Sequence, residues 1–280
     1  MIYMTIKKNA ANYFFLFILI LLITSCHTSK YRKTDKIYKK LAKDYGKIIK
    51  ASPPINQTVD TLGMQDPLWV GTVNMGIRRP NFVIIHHTAQ DSTAQTLKTF
   101  TITKTQVSAH YVIGRDGKIY QMVNDYLRAQ HAGVSKWGNA TDLNSLSLGI
   151  ELDNNGFEPF LEPQIESLLL LLATLKKRYS IPTTNFIGHA DIAPTRKPDP
   201  SNFPWKRLAE KGFGLWYDDI LETPPLEFDP AIALRIIGYD IKNLDAAIVA
   251  FKRHFIQVDI TPILSEQDRA VLYNLYKKYI

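Results

Sequence analysis

The sequence has one cysteine, Cys26, in 280 residues. No intramolecular disulfide can form, and there are not enough thiols to build a zinc finger. An HExxH pair is missing too, which removes the helix-borne zinc site of metalloproteases. Internal repeats and low-complexity tracts are also absent, so a solenoid is set aside. Long apolar runs are lacking: the stretch from Tyr13 to Ile23 is shorter than the ~20 residues a standard membrane span needs. A basic folded body is missing as well. The net charge of +8 divides into +2 for residues 1–25, +7 for residues 26–50 and −1 for the rest. The high isoelectric point therefore describes a short N-terminal segment, and no nucleic-acid partner is expected. What remains, at 45% hydrophobic and 21% charged, has the composition of an ordinary globular chain.

The N-terminus begins "MIYMTIKKNAANYFFLFILILLITSC", with two lysines, an apolar run and small residues before the cysteine. This is the layout of a secretory signal, expected over residues 1–25. "ITSC" resembles the lipobox of bacterial lipoproteins, which implies cleavage before Cys26 and acylation of that residue. A solitary exported cysteine otherwise has no evident use. His27 stands where an aspartate would favour the inner membrane in Gram-negative lipoproteins, so the resemblance implies an outer-membrane protein facing the periplasm. Residues 26–64 then read as the lipidated cysteine and a lysine-rich tether. That tether is either a solvated spacer or a polybasic arm resting on anionic surfaces beside the anchor.

The folded part alternates strands and helices. "NFVIIHH" is strand-like, "DSTAQTLKTF" starts a helix, and "HYVIGRDGKIYQMV" is a hairpin around Asp116-Gly117. "SLSLGIEL" is a further strand, "PQIESLLLLLATLKKRYS" the strongest helix and "NFIGH" a last short strand. This order predicts an α/β domain over residues 65–220, a mixed sheet packed by helices. Prolines mark 221–228 as a linker. Residues 229–280 read as three helices: one opened by Asp229-Pro230 and ended near Gly238, one from about Asn243 to Phe255, and one capped by Ser265 and Asp268.

Chemistry rests on which of the seven histidines converge. His86 and His189 each stand at the end of a predicted strand, and Asp199 lies on the proline-rich loop after the second. Two imidazoles and a carboxylate leave one tetrahedral position open, as catalytic zinc sites do. Histidines about a hundred residues apart do not by themselves make a site. The wording around them adds more. "FVIIHHTAQ", "SAHYVIGRDGKIYQMV", "QHAGVSKW", "SLSLGIEL" and "GHADIAPTRKPDP" occur in order. Together they resemble the zinc-dependent N-acetylmuramoyl-L-alanine amidases of the amidase 2 class, whose fold is shared by peptidoglycan recognition proteins and phage T7 lysozyme.

The resemblance implies zinc ligands His86, His189 and Asp199, Glu151 as general base and Lys197 steadying the oxyanion, with one zinc ion per chain. It implies hydrolysis of the amide between N-acetylmuramic acid and the L-alanine of the stem peptide, in peptidoglycan or muropeptides, during wall turnover or remodelling. His131 of "QHAGVSKW" is expected to contact substrate. His87 alternates away from His86 and is expected to be packed or beside substrate, His110 and Tyr111 to be sheet residues, and His27 and His254 to lie on the surface. Phage-type members carry a tyrosine where this chain has Ala109, which leaves proton transfer to Glu151. Ser201-Asn202 replaces the family's usual Gly-Pro, so the rim there differs. The C-terminal "ALRIIGYDIKNLDAAIVAFKRHF" resembles the three-helix peptidoglycan-binding domains beside wall hydrolases, the alternative being helices that only pack against the amidase domain. A binding-only relative of this fold typically lacks the third ligand, and a vestigial tethering protein would show a broken set. Asp199 and Glu151 argue against both. Oligomeric state is not legible.

Overall fold

The structure, a computed structural model, describes residues 30–50, 72, 74, 75, 77 and 79–280. The expected signal peptide, Cys26 and His27 lie outside the described residues. The chain forms two compact units, Met1–Met75 and Gly76–Ile280. In the first unit, residues Arg32–Lys50 form one helix, α1, with no buried residue. Among the described residues no helix is long and apolar enough to cross a membrane.

In the second unit five strands form one mixed sheet: β1 (Phe82–His87), β2 (Tyr111–Ile113), β3 (Ile119–Gln121), β4 (Ser147–Leu152) and β5 (Phe186–Gly188). Their order is β3-β2-β4-β1-β5. All neighbours run parallel except β3, which closes the hairpin onto β2. Side chains alternate between the two faces of a strand, and the alternation divides the labour. Val83, Ile85, Leu148, Ile150 and Leu152 face one way and pack on Ile165, Leu168, Leu172 and Leu175 of helix α4 (Glu162–Tyr179). Each fully buried leucine there contributes roughly 1.5–3 kcal/mol. Ile84, His86, Gly149 and Glu151 share the opposite face, where the site is built.

Helix α2 (Thr93–Phe100) is capped by Ser92, and α4 begins on Glu162-Pro163 with lysines and an arginine in its last turn, as its sequence suggests. Three short helices carry no readable periodicity: α3 (Leu143–Leu146), α5 (His189–Ile192) and α6 (Trp205–Glu210). The second of these corrects an expectation. Strand β5 stops at Gly188, and His189 opens a helix rather than closing a strand. The reason is local hydrogen bonding: Gly188 N–H donates to Asp191 Oδ2 at 2.7 Å and Ala190 N–H donates to the Asp199 carbonyl at 2.7 Å. These partners satisfy backbone donors that a continuing strand would have to pair laterally.

The C-terminal helices α7 (Pro230–Ile237), α8 (Leu244–Phe255) and α9 (Glu266–Tyr279) start on Asp229, Asn243 and the Ser265–Asp268 capping box. They are not a separate body. Leu234, Ile237, Ala247 and Phe251 share one core with Ile84, Trp137, Ile187 and Ile192 of the sheet side. Gly138 N–H donates to the Gly238 carbonyl at 2.7 Å, and Lys136 pairs with Asp240 at 3.0 Å. Gly238 ends α7 at φ 136°, and a Cβ there would lie 2.4 Å from the Trp137 ring. The segment 221–228 thus joins two parts of a single compact unit. His254, expected on the surface, is buried: its ring stacks on Trp205 at 3.9 Å and its Nδ1 meets Asp191 Oδ2 at 2.8 Å.

Candidate metal centre and active site

Parallel pairing sets His86 of β1 directly beside Glu151 of β4, so both side chains leave the same face of the sheet. The loop after α5 returns to this point and brings Asp199 with it. His86 Nδ1 lies 3.0 Å from His189 Nδ1 and 3.2 Å from Asp199 Oδ2, and His189 Nδ1 lies 3.0 Å from the same oxygen. All three residues are buried, and their ligand atoms form a cluster able to hold a metal ion.

The outer ring nitrogens explain why the inner ones converge. Ser147 Oγ donates its only proton to the Leu143 carbonyl, so it must accept from His131 Nε2, 3.2 Å away. His131 Nδ1 is then an acceptor, and it takes the proton of His86 Nε2 at 3.0 Å. That leaves His86 Nδ1 a bare lone pair aimed at the centre. His189 reaches the same state by a shorter route, donating Nε2–H to the Ala132 carbonyl at 3.1 Å. Burial, and next the neighbouring His189, lowers His86 to about 4, so the ring is neutral at pH 7. Burial by itself would raise Asp199, but contact with the two imidazoles outweighs it and holds the carboxyl well below the usual range. Two ring nitrogens and a carboxylate oxygen converging on one point suit a cation, and the N, N, O donor set matches a three-ligand catalytic site.

Glu151 stands beside this cluster with its Oε2 buried and unpartnered. Burial, reinforced by the charge of Asp199 and opposed by Lys197, raises its carboxyl to about 8. A carboxylate in such a place is poised to exchange a proton near neutral pH. His86, His87, His131, Glu151, His189, Lys197 and Asp199 all line one cleft of about 340 Å³. The structure therefore brings together every expected site residue except Cys26, which lies outside the described residues.

The remaining histidines have defined partners. His131, expected to touch substrate, lines the cleft with both its ring nitrogens engaged, by His86 and Ser147. Its ring approaches the sheet closely because β4 has a glycine there: a Cβ on Gly149 would lie 2.3 Å from the His131 ring. His87, on the cleft wall, accepts from Ser201 N–H at 3.3 Å. His110 is a sheet residue as expected, its Nδ1 accepting from Gly149 N–H and its Nε2 donating to the Leu127 carbonyl, both at 3.0 Å.

Sequence reasoning missed the supports. Asn144 Oδ1 accepts from the backbone of both His131 and Ala132, at 2.9 and 2.8 Å. Arg196 donates to the carbonyls of Ala132 and Val134, both at 2.9 Å. Asp191, two residues from His189, holds Gly188 N–H, His254 Nδ1 and the Tyr239 hydroxyl, the last at 2.8 Å. Tyr239 and His254 belong to the C-terminal helical part, so that part buttresses the second half of the centre. The side-chain partners lie 48 and 63 residues from Asp191, a separation that no local pattern records.

The sequence pattern of the N-acetylmuramoyl-L-alanine amidase (Amidase_2) family matches residues 76–202, which include His86, Glu151, His189, Lys197 and Asp199. The chain is 35% identical over 234 residues to the N-acetylmuramoyl-L-alanine amidase AmiD of Escherichia coli K12, covering 72% of this chain and 84% of that one. It is 42% identical over 103 residues to the 1,6-anhydro-N-acetylmuramyl-L-alanine amidase AmpD of Enterobacter cloacae, covering 36% of this chain and 55% of that protein. The solved complex of Escherichia coli AmiD with the substrate anhydro-N-acetylmuramic acid-L-Ala-D-gamma-Glu-L-Lys superposes with a TM-score of 0.65 at 33% identity, covering 75% of this chain and 93% of that one. The five-stranded mixed sheet with its added C-terminal helices is the fold of that structure, and the chain belongs to the N-acetylmuramoyl-L-alanine amidase family of the Amidase_2 class.

Proposed function

We propose that this chain hydrolyses the amide bond between N-acetylmuramic acid and L-alanine in peptidoglycan-derived muropeptides, with zinc as its resident cofactor. The observation that carries the reading is the set of two ring nitrogens and one carboxylate oxygen within 3.2 Å of one another, beside the orphaned Oε2 of Glu151 in an open cleft. His86, His189 and Asp199 would hold the zinc, whose chemistry there is to polarise a carbonyl and acidify a water. Glu151 takes a proton from the attacking water and returns it to the leaving nitrogen, a transfer suited to a carboxyl raised toward neutrality. Lys197, on the cleft wall, supplies positive charge to the oxyanion that develops on the carbonyl. His131, which lines the cleft, holds His86 in the ligating tautomer and offers its exposed edge to substrate.

An export signal and acylation at Cys26 are part of the same proposal, supported by the apolar run and "ITSC" in the sequence, and place the enzyme at the outer membrane, facing the periplasm. The C-terminal helices serve first as a wall of the metal centre, a reading supported by the shared core and by the bonds from Tyr239 and His254 to Asp191. The test is hydrolysis of a purified anhydro-muropeptide, followed by mass, with chelator and with zinc restored. Release of the free peptide that stops on chelation and returns with zinc is expected. No cleavage after zinc is restored would sink the enzyme reading.

A further inference from the structure

Helix α1 divides into two chemically distinct faces. At 100° per residue, Ile37, Ile48, Leu41, Tyr45, Tyr38, Ile49 and Ala42 fall within an arc of roughly 140°. The remaining arc holds all eight of its lysines and arginines, with Asp35 and Asp44 at its two borders. None of its residues is buried, and Ile48 and Ile49 are 67% and 78% exposed. Most helical stability comes from packing an amphipathic face, and an apolar stripe of this width left wet forgoes it. Something must cover it.

We propose that α1 is an interfacial helix that lies along an anionic phospholipid surface, apolar arc in the acyl boundary and cations toward the headgroups. Charge complementarity argues for this partner: an excess of six positive charges on a single helix matches phosphates and repels a second copy. A paired coiled coil fits less well. Its seam would run through Tyr38, Leu41, Tyr45 and Ile48, leaving Ile37 and Ile49 outside it. A carboxylate-rich wall polymer would use the lysines but leave the apolar arc without a role. The helix starts six residues after Cys26, so its contact would add to an acyl anchor without depending on one.

The test uses the chain from residue 26 onward carrying Cys26→Ser, so that no acyl group contributes. It is sedimented with vesicles of phosphatidylethanolamine containing one-third phosphatidylglycerol, and with phosphatidylcholine vesicles. Binding to the anionic vesicles with a gain in helical circular dichroism is expected, about tenfold or more stronger than to phosphatidylcholine at low salt. Leu41→Glu with Ile48→Glu should lower binding at least about tenfold. Lys36→Gln with Lys43→Gln should lower it comparably, with the deficit shrinking as salt rises. An unchanged unfolding midpoint of the Gly76–Ile280 unit shows that the variants fold. Equal binding to both vesicle types would overturn the proposal. So would binding unaffected by the glutamates, which marks a mere polycation, or a dimer in the ultracentrifuge that binds no vesicle.

Discussion

The two halves of the candidate metal centre are held by different means. His86 and Glu151 stand on β1 and β4, adjacent strands whose backbones are locked by a parallel ladder and whose far face is sealed by α4. His189, Lys197 and Asp199 stand on a four-residue helix and a returning loop, where almost no regular structure fixes them. The loop half is made rigid from outside: Asp191 receives bonds from the C-terminal part, and Arg196 ties the loop to residues 132 and 134. The comparison teaches that precision can come from a ladder or from a distant buttress. It follows that damage far from the chemistry should reach the loop half, whereas damage to the strand half must be local.

The largest expected effect lies on the strand half. Glu151→Ala should lower turnover by about 10²–10⁴ while bound zinc, measured by metal analysis, stays near one per chain. Loss of zinc with the rate would mean that Glu151 is a ligand instead. A second substitution at this position sharpens the contrast through pH. In the metal-free chain Glu151 is raised from 4.5 to about 8, so the folded state holds a proton that the unfolded state releases. This contribution is fully present below pH 4.5 and is lost as pH rises through 8. Glu151→Gln should therefore stabilise the apo protein at pH 9 by on the order of a few kcal/mol, with little difference at pH 4. Thermal melts across that range check it, and a gain that grows toward acid would refute the sign.

The next effect concerns the relay behind His86. His131→Ala should weaken zinc affinity by about 10–100-fold, with Ser147→Ala showing a smaller loss and His131→Asn partial recovery. Competition with a chelating dye measures this without turnover. The smallest effect tests the buttress: Tyr239→Phe removes one hydrogen bond to buried Asp191 and should cost about 1 kcal/mol in stability, with a modest rise in zinc dissociation. No change in zinc release with Tyr239→Phe would mean that the C-terminal helices stabilise the fold without steadying the loop half.

The ligand set, Glu151 and Lys197 were legible because each sits in a short ordered block whose wording is tied to a reaction. The long helices and their caps were legible because periodicity and capping are local properties of the chain. The burial of His254 and the ring partners of His131 were not legible for the opposite reason. Their roles depend on partners such as Asp191 and Ser147 that come together only when the sheet and the C-terminal helices close. The start of α5 was misread in the same way, since the Asp199 carbonyl that ends β5 lies beyond a proline-rich loop.

The sequence by itself determined the chemical inventory: which side chains could bind a metal, which carboxylate could move a proton, and which segments could form strands and helices. Tertiary structure alone decided which lone pairs those side chains present. A neutral histidine ring carries its one proton on either nitrogen until a hydrogen-bond acceptor fixes it on one and leaves the other free to ligate. Here the Leu143 carbonyl, through Ser147 and His131, makes that choice for His86, and the Ala132 carbonyl makes it for His189.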